Sequence, residues 1–140
     1  MEHHCKAFIL HCMDFRLGKP IKELLERQGA LGDCDIVSVA GGVKSLLSPK
    51  SSSDRAFILS QIDISVNLHR ISEIILSNHT DCGAYGGSSK FDSFKKECEF
   101  HASEMKKAKE IILSKYPQLK VKMILGKIFP SGQVQFEEIG

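Results

Sequence analysis

Two short stretches hold most of the reactive side chains in this chain: His11-Cys12-Met13-Asp14-Phe15-Arg16 and His79-Thr80-Asp81-Cys82-Gly83. Cys12, His79 and Cys82 make a Cys₂His set. Three protein ligands with a free fourth position is the arrangement of a catalytic zinc, whereas a structural zinc is closed by four. Thiolate and imidazole suit zinc better than magnesium or calcium, which prefer oxygen. Zinc would hold the thiolates deprotonated and lower the pKa of bound water towards about 7, so that zinc-bound hydroxide is available near neutral pH. His79 and Cys82 stand three positions apart on a turn and can share one ion. Asp14 lies two residues after Cys12, and Arg16 two after Asp14. In an extended segment all three side chains point to one side. Arg16 can then fork onto the Asp14 carboxylate and favour its ionised form. Asp14 would either accept a hydrogen bond from the metal-bound water or become the fourth ligand, and these roles compete.

The remaining candidates read more plainly. His3, His4 and His11 fit surface or capping roles, and His69 and His101 fit structural ones. Asp81 suits a hydrogen bond to a loop N–H. Cys5, Cys34 and Cys98 lie outside the motifs and read as small, buried or half-buried hydrophobes. The lysines at Lys95-Lys96, Lys106-Lys107 and Lys109 read as a solvated helix face.

The elements that must position the motifs follow from periodicity. Lys6 to Leu10 is a short apolar run of the kind found in buried parallel strands. Pro20 suits the first turn of a helix carrying Ile21, Leu24 and Leu25 to about Gln28. Asp35 to Ala40 reads as strand two, ended by Gly41-Gly42. A Ser-rich surface loop from Ser45 to Asp54 leads to a helix capped by Ser53 or Asp54 and running to about Leu68. Ile71 to Ser77 reads as strand three, about Lys90 to Tyr116 as a long helix, Val121 to Phe129 as strand four, and Val134 to Ile139 as a hairpin-like final strand. The alternation predicts an α/β fold with a mostly parallel β-sheet, order 2-1-3-4 with an antiparallel final strand, flanked by helices. Both motifs then lie beyond the carboxyl ends of neighbouring strands one and three, where such sheets bind ligands.

A chain of 140 residues is expected to form a single domain over 1–140. A net charge of +2 gives no reason to expect nucleic acid or a membrane surface as partner. No apolar run approaches the roughly 20 residues of a membrane span. The start of the chain lacks a charged-then-apolar signal pattern, and the cysteine count is an odd five, so the expected location is cytoplasmic with reduced thiols.

Cys12-Met13-Asp14-Phe15-Arg16 and His79-Thr80-Asp81-Cys82-Gly83 resemble the two signature motifs of the β-class carbonic anhydrases, and Asp35 to Gly42 is similar to that family's second-strand segment ending Ala-Gly. The resemblance implies a small, arm-lacking zinc lyase (carbonate dehydratase) that hydrates CO₂ to bicarbonate and assembles as a homodimer or larger. It implies Zn²⁺ held by Cys12, His79 and Cys82, with Asp14, oriented by Arg16, managing the bound water. Ser38-Val39 stand where the family often has Arg-Asn. No Gln occurs from Met1 to His11, where the family often places one on the approach to the pocket. Two other readings stay open from the sequence. One is a zinc hydrolase of a related small molecule, carbon disulfide or carbonyl sulfide; the other is a non-catalytic zinc-binding or redox-sensing protein. A cysteine phosphatase is disfavoured, because Arg16 follows Cys12 too closely and Asp14 would repel phosphate.

Overall fold

The computed structural model describes residues 1–140. Its regular elements in chain order are β1 (Ala7–His11), α1 (Gly18–Arg27), β2 (Cys34–Ser38), α2 (Lys44–Leu47), α3 (Ser52–His69), β3 (Glu73–His79), α4 (Phe94–Lys115), β4 (Lys120–Ile128) and β5 (Val134–Ile139). The five strands form one sheet in the order β2-β1-β3-β4-β5, parallel except for β5, which runs antiparallel to β4. This is the α/β sheet expected from the sequence, with β1 and β3 side by side.

Strand geometry sorts the apolar residues onto two faces, because successive side chains point to opposite sides. Phe8 and Leu10 of β1 join Ile74 and Leu76 of β3 on one face, against Ile58 and Ile62 of α3 and Met105, Ala108 and Ile112 of α4. Ile9, Ile75 and Ile124 point the other way, against Ile21, Leu24 and Leu25 of α1. Every residue of β1 and β3 is buried. The two strands that precede the motifs are therefore the most completely buried in the sheet.

Several boundaries differ from expectation for identifiable reasons. β3 starts two residues later than its apolar run and continues through Asn78 and His79, which pair with Leu125 and Gly126 of β4. His79 thus sits on a strand end, not on the following turn. A short helix, α2, interrupts the expected Ser-rich loop and buries Leu46. The cap of α3 is Ser51, whose hydroxyl accepts the Ser53 N–H at 3.3 Å. Ser93 caps α4 by accepting the Lys96 N–H at 3.1 Å, so that helix begins later than Lys90. Lys95, Lys96, Lys106 and Lys107 do lie on a solvated face. The opposite face of α4 buries Glu97, His101 and Glu104.

Candidate metal centre

The site is built where β1 and β3 end. His11 pairs with Ser77 across the parallel ladder. Cys12, one step beyond β1, therefore falls beside the last residues of β3, and the turn after His79 swings Cys82 back towards it. The Cys12 and Cys82 sulfurs lie 3.9 Å apart. One ligand atom each from Cys12, His79 and Cys82 lies within 4.8 Å of the others, and all three residues are buried. His11, expected at the surface, is the buried last residue of β1, and its ring lies 2.7 Å from the Cys12 carbonyl.

The orientation of each donor has a cause. His79 Nδ1–H donates to the Thr80 carbonyl at 2.7 Å, which leaves Nε2 with its lone pair facing inward. That Nε2 is buried and has no hydrogen-bond partner. The Gly41 N–H donates to Cys12 Sγ at 3.4 Å. Gly42, with φ +55°, crosses so close that an added Cβ would stand 2.9 Å from Asn78 Oδ1 and 3.1 Å from the Ser77 carbonyl. Gly126 plays the matching part on β4, where a Cβ would meet His79 Cβ at 3.3 Å.

The donor set fits zinc. Zinc–thiolate bonds of about 2.3 Å at a tetrahedral angle place two sulfurs about 3.8 Å apart. That is close to the observed 3.9 Å, and the unsatisfied His79 nitrogen completes the set. Without a cation the sulfurs compete for protons. A hydrogen bond from the Cys82 thiol holds the Cys12 thiol well below its usual range, with help from the Gly41 N–H. The resulting charge on Cys12, together with burial, pushes the Cys82 thiol up.

Asp14 and Arg16 stand at the edge of this cluster. The segment is not extended, as the sequence reading required; Phe15–Leu17 forms a 3₁₀ turn that Asp14 caps. The turn itself makes the pairing. Asp14 Oδ1 accepts from the Arg16 backbone N–H at 2.9 Å and from its Nε at 3.1 Å, and Oδ2 accepts from Nη2 at 2.8 Å. These bonds hold the Asp14 carboxyl down at about 2, well below an ordinary carboxylate. Asp14 Oδ2 lies 3.9 Å from His79 Nε2.

Arg16 also reaches across to the second motif. It donates to Asp81 Oδ2 and to the Asp81 carbonyl, each at 3.0 Å. Asp81 is left-handed, with φ 56°. Its Oδ1 accepts the Ser88 N–H at 3.0 Å, the loop role expected of it. Its own N–H donates to Glu97 Oε2 at 2.7 Å, and the Ser88 hydroxyl donates to Glu97 Oε1 at 2.8 Å. Nothing in the motif spacing points to Glu97 in this role, nor to Asn78. Asn78 accepts the Val43 N–H at 3.3 Å and donates to His101 Nδ1 at 3.2 Å. Both residues lie outside the motifs, and only the fold brings them in.

Two clefts flank the cluster. One, of about 620 Å³, is lined by Val39, Ala40, Lys44, Phe57, Gly83 and Ala84 among others. The other, of about 740 Å³, is lined by Arg16, Asp81, Ser88, Phe94 and Ile128 among others.

Comparison with known proteins follows the same lines. A carbonic anhydrase from Streptococcus mutans superposes with a TM-score of 0.62 at 18% identity, covering 99% of this chain and 84% of that one. A structure of tetrameric β-carbonic anhydrases from Sordaria macrospora gives 0.58 at 13% identity, covering 99% and 82%. At those identities the likeness is one of fold. An uncharacterized protein of Rickettsia bellii is 34% identical over 122 residues, covering 85% of this chain and 74% of that protein. One of Rickettsia conorii is 33% identical over 122 residues, covering 85% and 66%. A family model described as "Putative carbonic anhydrase" matches residues 2–139, and the chain belongs to that family.

Proposed function

We propose that this protein is a zinc-dependent carbonic anhydrase that hydrates CO₂ to bicarbonate. The observation that carries the reading is the convergence of the three buried donors beside an Asp14 fixed by Arg16. Cys12, His79 and Cys82 would hold the ion. Zinc bound there supplies Lewis acidity that makes water a nucleophile near neutral pH.

The chain's own residues then divide the work. Asp14 stays ionised throughout the neutral range and is too acidic to store a proton there. It therefore acts as a hydrogen-bond acceptor that orients the attacking water. Both of its oxygens are already engaged by Arg16, which favours this role over metal ligation. Val39, Ala40 and Ala84 give the neighbouring cleft an apolar wall suited to a small uncharged substrate.

We also read the protein as a homo-oligomer. Met13 and Phe15 flank Asp14 and are 64% and 91% exposed. Phe57, Ile64 and Leu68 form an exposed stripe along α3, and Ile36 is exposed on β2. Apolar side chains gathered in this way suit a subunit contact. No helix is long and apolar enough to cross a membrane. An odd count of five cysteines suits a reducing, cytoplasmic setting.

The test is stopped-flow CO₂ hydration with zinc-replete protein, beside metal analysis of the same samples. Wild type should show a zinc-dependent rate that rises with pH. Cys82→Ser should lose the zinc of this site together with the rate, and Asp14→Ala should keep that zinc but lose rate. Zinc-replete protein that turns over carbon disulfide or carbonyl sulfide but not CO₂ would replace the substrate. Full activity in zinc-free protein would overturn the reading.

A further inference from the structure

A second group of metal-ligand side chains lies at the opposite end of β1. Cys5, Asp35 and His69 bring a thiol, a carboxylate oxygen and an imidazole nitrogen within 4.8 Å of one another. They come from three separate parts of the chain: the segment entering β1, the start of β2 and the last residue of α3. Cys5 stands seven positions before Cys12. At about 3.3 Å per residue of strand, roughly 20 Å lies between this group and the first cluster.

The backbone holds the group together. The Cys5 N–H donates to the His69 carbonyl at 3.0 Å, and the Lys6 N–H donates to Asp33 Oδ1 at 3.0 Å. Asp35 Oδ2 is aimed by the Ser65 hydroxyl and by His69 Nδ1–H, each donating at 2.6 Å. A second imidazole stands beside the first, since the His3 and His69 rings lie with centroids 4.8 Å apart. The His69 and Asp35 side chains keep 24% and 30% exposure, so an ion can enter from solvent.

We propose that Cys5, Asp35 and His69, with His3 as the fourth donor, form a second zinc site of closed, structural type. Sulfur, nitrogen and carboxylate oxygen are the donors zinc accepts in tetrahedral sites, and four of them leave no open position. Ion binding would displace the Cys5 thiol proton to solvent, because the thiolate is the ligand, and would shift the His69 ring proton from Nδ1 to Nε2 as the hydrogen bond to Asp35 gives way to the metal. The thiol proton now points at the Ala7 carbonyl, 3.5 Å from the sulfur. The ion would tie residues 3–5 to the end of α3 and to the edge strand β2.

Zinc content per chain decides the matter, measured by mass spectrometry of the metal on full-length protein after loading with zinc and gel filtration. Wild type should carry two ions, and Cys82→Ser one. Cys5→Ala and His69→Gln should also carry one, and the double variant Cys5→Ala/Cys82→Ser none. Asp35→Asn keeps the shape of the residue and guards against loss through misfolding; it too should fall to one. Cobalt in Cys82→Ser should show thiolate-to-metal absorption that disappears when Cys5 is also replaced. A wild-type chain with one zinc, lost in Cys82→Ser and kept in Cys5→Ala, overturns this site and leaves the first intact. One zinc kept in Cys82→Ser and lost in Cys5→Ala upholds this site and overturns the first.

Discussion

Arg16 is the residue through which the two motifs are fixed to each other. It grips both oxygens of Asp14 and also holds the side chain and carbonyl of Asp81. A lysine carries the same charge but cannot fork in this way. Arg16→Lys is therefore expected to keep zinc and to lower the hydration rate about 10- to 100-fold, the usual scale for losing a residue that orients a metal site. Rate and metal content measured on one sample will show it. Gly42 is constrained by geometry alone. An alanine there would carry a Cβ within 2.9 Å of Asn78 Oδ1 on a backbone with φ +55°. We expect Gly42→Ala to cost about 2 kcal/mol or more in urea denaturation, from left-handed strain plus the clash.

At the scale of elements, α4 both covers the sheet and anchors the loop that carries Cys82. Glu97 accepts the Asp81 N–H and the Ser88 hydroxyl from within the interior. Glu97→Leu would leave both donors unsatisfied, at about 1–3 kcal/mol each, and should weaken zinc retention along with stability. Competition with a chelator reads the first effect and thermal melting the second. One turn further on, burial holds the His101 imidazole down at about 4. An unfolded histidine titrates near 6.5, so below that pH the unfolded chain takes up a proton that the folded chain refuses. Stability from this residue is full above pH 6.5 and is lost as pH falls towards 4, by about 3 kcal/mol. His101→Gln should flatten that part of the pH–stability curve, which urea midpoints at pH 7 and pH 4.5 will reveal. The inward roles of Glu97 and Glu104 were hidden in the sequence, because both sit among lysines that read as a solvated face, whereas His101 reads as structural and is buried. The strand order was legible, since unbroken apolar runs such as Phe8 to Leu10 and Ile74 to Leu76 occur where both faces of a sheet are covered. The last residues of β3 were not. Ser77, Asn78 and His79 are polar, and only pairing with β4 shows that the strand carries them into the interior. Residues near one another in sequence, such as Asp14 and Arg16, announced their pairing. Partners supplied by a distant helix did not.

For the whole molecule, the exposed apolar side chains include Phe57, Ile64 and Leu68 on α3, Ile36 on β2, and Met13 and Phe15 in the first motif. Phe57→Glu combined with Leu68→Glu should shift the protein to a smaller species in light scattering, with the far-UV spectrum unchanged. An unaltered mass would remove α3 from the subunit contact. The two edges of the sheet are unlike. β5 presents Gln135, Glu137 and Glu138 to solvent along a short strand, a composition that discourages further strand pairing. β2, at the other end, presents Ile36 between half-buried neighbours. A chain with one sociable edge and one guarded edge cannot add copies head to tail indefinitely. If two copies were joined through β2, they would meet by a twofold axis, each using the same edge, and the pairing would then be used up. The acidic β5 edge would then offer no second strand to a further copy.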